Sequence, residues 1–135
     1  MGLPELFLQR LSRLVPPERV EECVRAFHEP PAVGARVNTL LAEREEVFRG
    51  LREAGFGLHF VPWYPDAFWL PPEQREALLA SEWVQGGQVY VQNLSSMVPP
   101  LVLAPQPGEH VLDLCAAPGG KTLQLAACLQ GEGEL

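Results

Sequence analysis

The chain contains no isoleucine and a single lysine, Lys121, against nine arginines. Such a bias reflects GC-rich codons more than protein physics. Asparagine occurs only twice, while proline occurs fourteen times, a balance that suits a heat-stable protein because proline narrows the unfolded ensemble. No apolar run approaches the roughly 20 residues a membrane span needs. The N-terminus MGLPELFLQRLSRLV lacks a basic start and a small-residue cleavage site, so no signal peptide is expected. The three cysteines, Cys23, Cys115 and Cys128, are widely spaced, with no CxxC pair or Cys/His cluster to hold a metal. A reduced, cytoplasmic protein is the expectation. Positive charge is also scarce. The formal net charge is −7, which argues against nucleic-acid binding by the segment as a whole and leaves room only for a local basic face.

What is present is enough apolar material for a core: hydrophobic residues make up 47% of the chain. Leu3, Leu6, Phe7, Leu11 and Leu14 recur at helical spacing. A second helix is predicted from Pro16-Pro17, with Val20, Cys23, Val24 and Phe27 as its buried stripe and Pro30-Pro31 as its stop. Ala35–Leu41 reads as a strand and Glu43–Ala54 as a helix closed by Gly55 and Gly57. Short strands are predicted near Leu58–Val61 and Ala67–Leu70, a helix over Glu73–Ala80, and a strand over Val89–Gln92 after the Gly86-Gly87 turn. Residues 1–85 thus read as a small mixed α+β module. In the remainder, 86–135, a helix around Leu94–Val102 must place Pro99-Pro100 near its first turn or be kinked by them. The apolar run His110–Cys115 reads as a buried parallel strand. A glycine loop and a helix over Lys121–Leu129 follow, which is the opening of a βαβ unit. The right-handed crossover calls for a second parallel strand, starting at about Glu134.

The informative stretch is Asp113-Leu-Cys-Ala-Ala-Pro-Gly-Gly-Lys-Thr122. Gly119 and Gly120 let the backbone turn sharply and approach a ligand, and Ala116 and Ala117 are nearly as small. The helix that follows points free amides and its positive end at the loop, where a carboxylate or phosphate is favoured. Asp113 can accept hydrogen bonds from loop amides or from a ligand amine. A P-loop of the form GxxxxGKS/T needs glycine at position 115, which is cysteine, and Pro118 stiffens the loop. A dinucleotide GxGxxG fails in register, because the glycines are adjacent. A loop for S-adenosyl-L-methionine, which cradles no pyrophosphate, remains. Six small or special residues in succession, Cys115 to Gly120, are too many for an ordinary connector.

DLCAAPGGKT resembles motif I of the Nop/Sun family of RNA cytosine-carbon-5 methyltransferases. VYVQNLSSMVPPLVLAPQPGEHVL resembles the family's approach to motif I, and RVNTL at Arg36–Leu40 resembles its N-terminal signature. The N-terminal arrangement is most similar to bacterial enzymes acting on small-subunit ribosomal RNA. The resemblance implies an α/β fold: a small mixed α+β N-terminal module followed by the start of a Rossmann-like methyltransferase domain, truncated here. It implies that Cys115, Ala116, Ala117, Pro118, Gly119, Gly120 and Lys121 wrap the methionine end of S-adenosyl-L-methionine, with Asp113 alongside. It places Lys121, a compact ammonium in an arginine-using chain, near a carboxylate. It also places Cys115 against the cofactor as a small packing residue.

In this family's chemistry a cysteine thiolate adds to carbon 6 of cytosine, and the enriched carbon 5 then takes the methyl group. The family's two cysteines lie in patterns resembling PCS and TC, and neither occurs in these residues. Cys23 and Cys128 sit at helical core spacing and read as structural. The acidic residue that holds the ribose, about 20 positions past the glycines, falls beyond Leu135. Arg36 and Asn38 share one strand face. They could reach RNA phosphate or stabilise a domain interface, and the sequence weighs these evenly. Trp63, Tyr64, Phe68 and Trp69 read as local core ahead of a base-stacking surface. His28, His59 and His110 are isolated, and read as solvated or core residues.

The expected function is the front part of an RNA methyltransferase making 5-methylcytosine, with RNA, most plausibly ribosomal RNA or the small ribosomal subunit, as partner and no membrane. Alternatives are a non-catalytic RNA-binding or ribosome-assembly protein on the same fold, the same chemistry on transfer RNA, or a nucleotide-hydrolysing P-loop protein. As a fragment of a longer protein without the two cysteines, the 135-residue chain alone is expected not to methylate RNA. A methyl-transfer assay on the isolated chain checks this, and turnover would overturn it.

Overall fold

The computed structural model describes residues 2–135 and divides into two compact units, one reaching to Pro31 and one spanning Ala32–Leu135. The first holds helices α1 (Glu5–Leu14) and α2 (Val20–Ala26), the latter entered through a 3-10 turn over Pro17–Arg19. Phe7 and Phe27 meet edge to face at 5.1 Å. The predicted buried stripe of α2 is only half-buried at Cys23 and Val24, and Phe27 is largely exposed. Two short helices have too little surface to enclose an apolar stripe.

The second unit is built on a four-stranded antiparallel sheet of order β2-β3-β1-β4. Its elements follow as β1 (Val33–Val37), α3 (Arg44–Glu53), β2 (His59–Phe60), β3 (Ala67–Leu70), α4 (Arg75–Ala80), α5 (Glu82–Gln85) and β4 (Val89–Val91). This β-α-β-β-α-β succession is the split βαβ pattern. Strand β4 lies past the boundary drawn at residue 85 from sequence, yet it is an edge strand of this sheet, pairing Val37 with Val89 and Arg36 with Tyr90. The strand predicted over Ala35–Leu41 starts earlier, at Val33, and stops at Val37. Asn38 turns the chain there by accepting the Leu40 amide on its own side chain.

Pleating divides the sheet into two buried faces. Val33, Ala35, Val37, Phe68, Leu70 and Val89 point toward α3 and α4, where Val47, Phe48, Leu51 and Leu78 complete the core. Phe48 sets its ring edge against both Phe60 and Phe68, at 4.9 and 5.6 Å. The four aromatics grouped in the sequence therefore separate. Phe68 belongs to this core, Tyr64 to the opposite one, Trp69 stacks on His59 at 3.9 Å, and Trp63 is exposed.

The opposite face takes helices α6 (Leu94–Leu103) and α7 (Gly120–Leu129). Met97, Leu94 and Leu101 pack on Val61, Tyr64 and Ala67. Gly34 admits α6: a side-chain carbon there would stand 2.5 Å from the Gln92 carbonyl oxygen. Pro99 and Pro100 sit in the second turn of α6, inside the helix and just past its first turn. Pro100 cannot donate to the Ser96 carbonyl, and the Gln92 side chain donates to it instead at 3.1 Å. The helix continues because a side chain replaces the missing donor.

The run His110–Cys115 forms no strand, contrary to expectation. Its one sheet contact is a parallel bridge from His110 to Glu134, where the second parallel strand was expected to start, and Leu112 and Leu114 are 80% and 85% exposed. A parallel strand is buried by neighbours on both sides and helices on both faces, and one bridge supplies neither.

Phe68, fully buried beneath Phe48, is the test of this core. Phe68→Ala is expected to lower unfolding free energy by about 3–5 kcal/mol in urea denaturation, and a loss under 1 kcal/mol would refute the packing described.

Candidate functional site

The loop from Asp113 to Gly119 runs from the His110–Cys115 segment into α7, and its residues 114–118 are exposed. The two glycines serve different ends. Gly119 adopts φ +113°, a conformation that disfavours side chains, and the space beside it is open. Gly120 lies against strand β4, where an added carbon would stand 3.3 Å from both Tyr90 and Gln92. No side chain caps α7. Its first internal hydrogen bond runs from the Leu123 amide to the Gly119 carbonyl, which leaves the amides of Gly120, Lys121 and Thr122 free of backbone partners.

Asp113 organises the loop from the other side. One carboxylate oxygen accepts the Cys115 amide at 2.9 Å, and the other accepts the Thr122 hydroxyl at 2.7 Å. That hydroxyl also stands 3.1 Å from the Ala116 carbonyl, so both ends of the loop close on one side chain. The Thr122 hydroxyl, then the Cys115 amide, then the charge of Lys121 hold the Asp113 carboxyl below the usual aspartate range. Beside it, Pro99, Pro100, Leu103, Leu112 and Leu125 line an apolar groove with Asp113 and Lys121 at its rim. Lys121 is exposed. Cys115 is also exposed, with a free thiol. Cys128 is half-buried, and desolvation pushes its thiol up, as suits an unreactive residue.

The loop is braced from beneath by Arg36, which has no exposed surface. Its Nη2 donates to the Gly120 carbonyl at 3.2 Å and its Nε to Gln92 Oε1 at 3.2 Å, while the guanidinium lies 5.5 Å over the Tyr90 ring. These bonds are internal, and no surface remains for a phosphate. Burial lowers the Arg36 pKa, opposed by the nearby Tyr64 and Tyr90. Asn38 likewise turns inward, donating to the Gly87 carbonyl at 3.1 Å. The sequence reading missed Gln92 and Gln124. Gln124 is fully buried on α7 and donates to the Met97 carbonyl at 2.9 Å. The legible signal was a glutamine set between Leu123 and Leu125 in an apolar helix. Desolvation pushes the Tyr64 hydroxyl, in the same layer, up to about 12.

A sheet-braced, uncapped helix start thus follows a glycine loop and an anchoring aspartate, with free amides at its mouth. Residues 3–94 match the family described as the N-terminal domain of 16S rRNA methyltransferase RsmF, and residues 100–135 match 16S rRNA methyltransferase RsmB/F. The chain is 36% identical over 133 residues to ribosomal RNA small subunit methyltransferase F of Shewanella oneidensis, and 32% identical over 137 residues to that of Vibrio parahaemolyticus. It covers 96% and 98% of itself but only 28% and 29% of those proteins. A methyltransferase homolog from Pyrococcus horikoshii superposes with a TM-score of 0.81 at 35% identity, over 98% of this chain and 43% of that one. NSun6 from the same organism shares the fold at a TM-score of 0.78 and 17% identity. The chain therefore belongs to the Nop/Sun family, in its bacterial small-subunit ribosomal RNA branch, and corresponds to the N-terminal part of those proteins.

The Asp113 network is testable by titration. A carboxyl with a depressed folded pKa contributes stability that is full above the unfolded value near 3.8 and is lost as pH falls through the folded value. Loop protection should thus be constant near neutrality and fail only in acid, below the ordinary aspartate range. In Thr122→Val the Asp113 midpoint, read by carboxyl carbon NMR, should rise toward 3.8, and an unmoved midpoint would remove Thr122 as the principal cause.

Proposed function

We propose that this chain is the cofactor-loop portion of an S-adenosyl-L-methionine-dependent enzyme that methylates carbon 5 of cytosine in small-subunit ribosomal RNA. The single observation that carries the reading is the open N-terminus of α7: free amides at Gly120 and Lys121, an exposed ammonium, and no protein group occupying them. The names of the relatives, ribosomal RNA small subunit methyltransferases, supply the substrate class. Because the chain spans under a third of those proteins, the activity is assigned to the whole polypeptide.

The residues present fit the methionine end of the proposed cofactor. A carboxylate is the natural partner of uncapped helix amides at a positive dipole end. Lys121 would add a charge-assisted contact to the same carboxylate. Asp113 keeps the loop open by closing its hydrogen bonds on Cys115 and Thr122, and it stays ionised at neutral pH. The groove beside it offers an apolar flank to the loop. When bound, S-adenosyl-L-methionine supplies an electrophilic methyl group on sulfur. The cysteine–RNA covalent intermediate belongs to cysteines that these residues do not include, since Cys23, Cys115 and Cys128 lack a base or a PCS or TC setting.

Two outcomes follow. Lys121→Ala in the full-length protein is expected to weaken S-adenosyl-L-methionine binding about tenfold by calorimetry, the scale of one charge-assisted hydrogen bond, without lowering the melting temperature. Unchanged affinity would exclude the residue from the site. Nucleosides from small-subunit RNA treated with the full-length protein should contain new 5-methylcytosine by mass spectrometry, and methylation at any other position would refute the assigned chemistry.

A further inference from the structure

We infer that Arg36 is a positioning residue for the cofactor loop, so that a strand of the N-terminal module sets the affinity of the methyl-donor site. The inference rests on the function proposed above.

Three observations carry it. First, Arg36 reaches Gly120, the first residue of α7, across 84 positions of sequence, and it does so from a fully buried position. The Gly120 carbonyl belongs to the peptide that links Gly120 to Lys121, so fixing that oxygen fixes the direction of the Lys121 amide. A bond from a planar guanidinium holds that plane in a defined orientation. Second, the guanidinium is itself immobilised. Gln92 accepts from Nε, Tyr90 lies beneath it, and Gln92 is held in turn by donating to the Ser96 carbonyl that Pro100 leaves free. Loop, strand β4 and helix α6 are thereby tied to one side chain. Third, the loop has little else to fix it from below. Residues 114–118 are exposed and the space beside Gly119 is open, so the polar side-chain bonds at the α7 start are those of Arg36 to Gly120 and of Thr122 to Asp113 and the Ala116 carbonyl. Arg36 does not touch the proposed ligand. Its positive charge, buried beneath the helix start, also raises the local potential felt by a carboxylate.

The consequence is specific to one substrate. Loss of Arg36 should raise KM and Kd for S-adenosyl-L-methionine and leave KM for RNA unchanged, whereas a phosphate-binding arginine would show the reverse. The test uses the full-length protein with Arg36→Met, which keeps an unbranched apolar stem and removes the donors, and Arg36→Lys, which keeps the charge on a single donor nitrogen. Expected are about a tenfold rise in S-adenosyl-L-methionine Kd for the first and a smaller rise for the second, with amide exchange at Gly120–Thr122 faster in proportion. If Arg36→Met fails to fold, the Lys variant decides alone, by the same split between the two KM values. Wild-type affinity in the variants, or equal losses for RNA and cofactor, would overturn the positioning role. If the wild-type protein itself does not bind S-adenosyl-L-methionine, it is the proposed function that fails.

Discussion

The burial of one guanidinium constrains the rest of the second unit. A charged group removed from water is held by the partners its donors find: Nε and Nη2 of Arg36 find the Gln92 amide oxygen and the Gly120 carbonyl, while Nη1 is buried with no hydrogen-bond partner among the described residues. Those bonds require β1, β4 and α7 to approach within one side-chain length of each other. Small residues at the meeting point make the approach possible. Gly34 lets α6 cross β1, and Gly120 lets α7 rest on Tyr90 and Gln92. A side chain at Gly34 would collide with the Gln92 carbonyl, and one at Gly120 would press on the Tyr90 and Gln92 side chains that hold the guanidinium.

The same layer explains how α6 carries Pro100. A helix interior normally rejects proline because a carbonyl loses its donor. Here Gln92 supplies that donor to Ser96, and Gln124 adds a bond to Met97. The amide side chains of β4's extension and α7 therefore stabilise a helix that its own backbone would leave incomplete. The polar layer between sheet and helices is thus not a defect in the core. It is the means by which three elements of poor intrinsic regularity hold a defined relative position.

How much of this was legible in the sequence depended on whether the signal was local. The helix over Arg44–Glu53 and the strand Ala67–Leu70 appeared where their patterns placed them, because a glycine stop and pleating are local properties. The glycine loop was equally legible, since small residues after an apolar run have few other uses. Helix α5 escaped notice because four residues give no period. The start of β1 was misplaced because both its faces are buried, and a strand without alternation carries no edge signal. Arg36 was read as equally suited to phosphate or interface, since a charged residue on a strand looks solvent-facing until its partners 56 and 84 positions away are known. The exposure of Leu112 and Leu114 has the same origin: the run is apolar because a parallel sheet would bury it, and a single bridge at His110 does not.

Charge then separates what this segment can contribute from what it cannot. Attraction to a polyanion depends on cations displayed to solvent, and a segment of net charge −7 repels phosphate at long range. Placing Arg36 wholly inside removes one of only ten basic side chains from that surface. If RNA contact were the main task of these residues, an arginine in a signature strand would be costly to bury. The burial makes sense if the value of the residue is geometric. A fixed guanidinium beneath Gly120 orients a peptide plane at the mouth of a small-molecule site, and that orientation would be lost if the same side chain were free to follow a phosphate. On this argument the N-terminal sheet is part of the loop's foundation rather than a separate RNA-reading module.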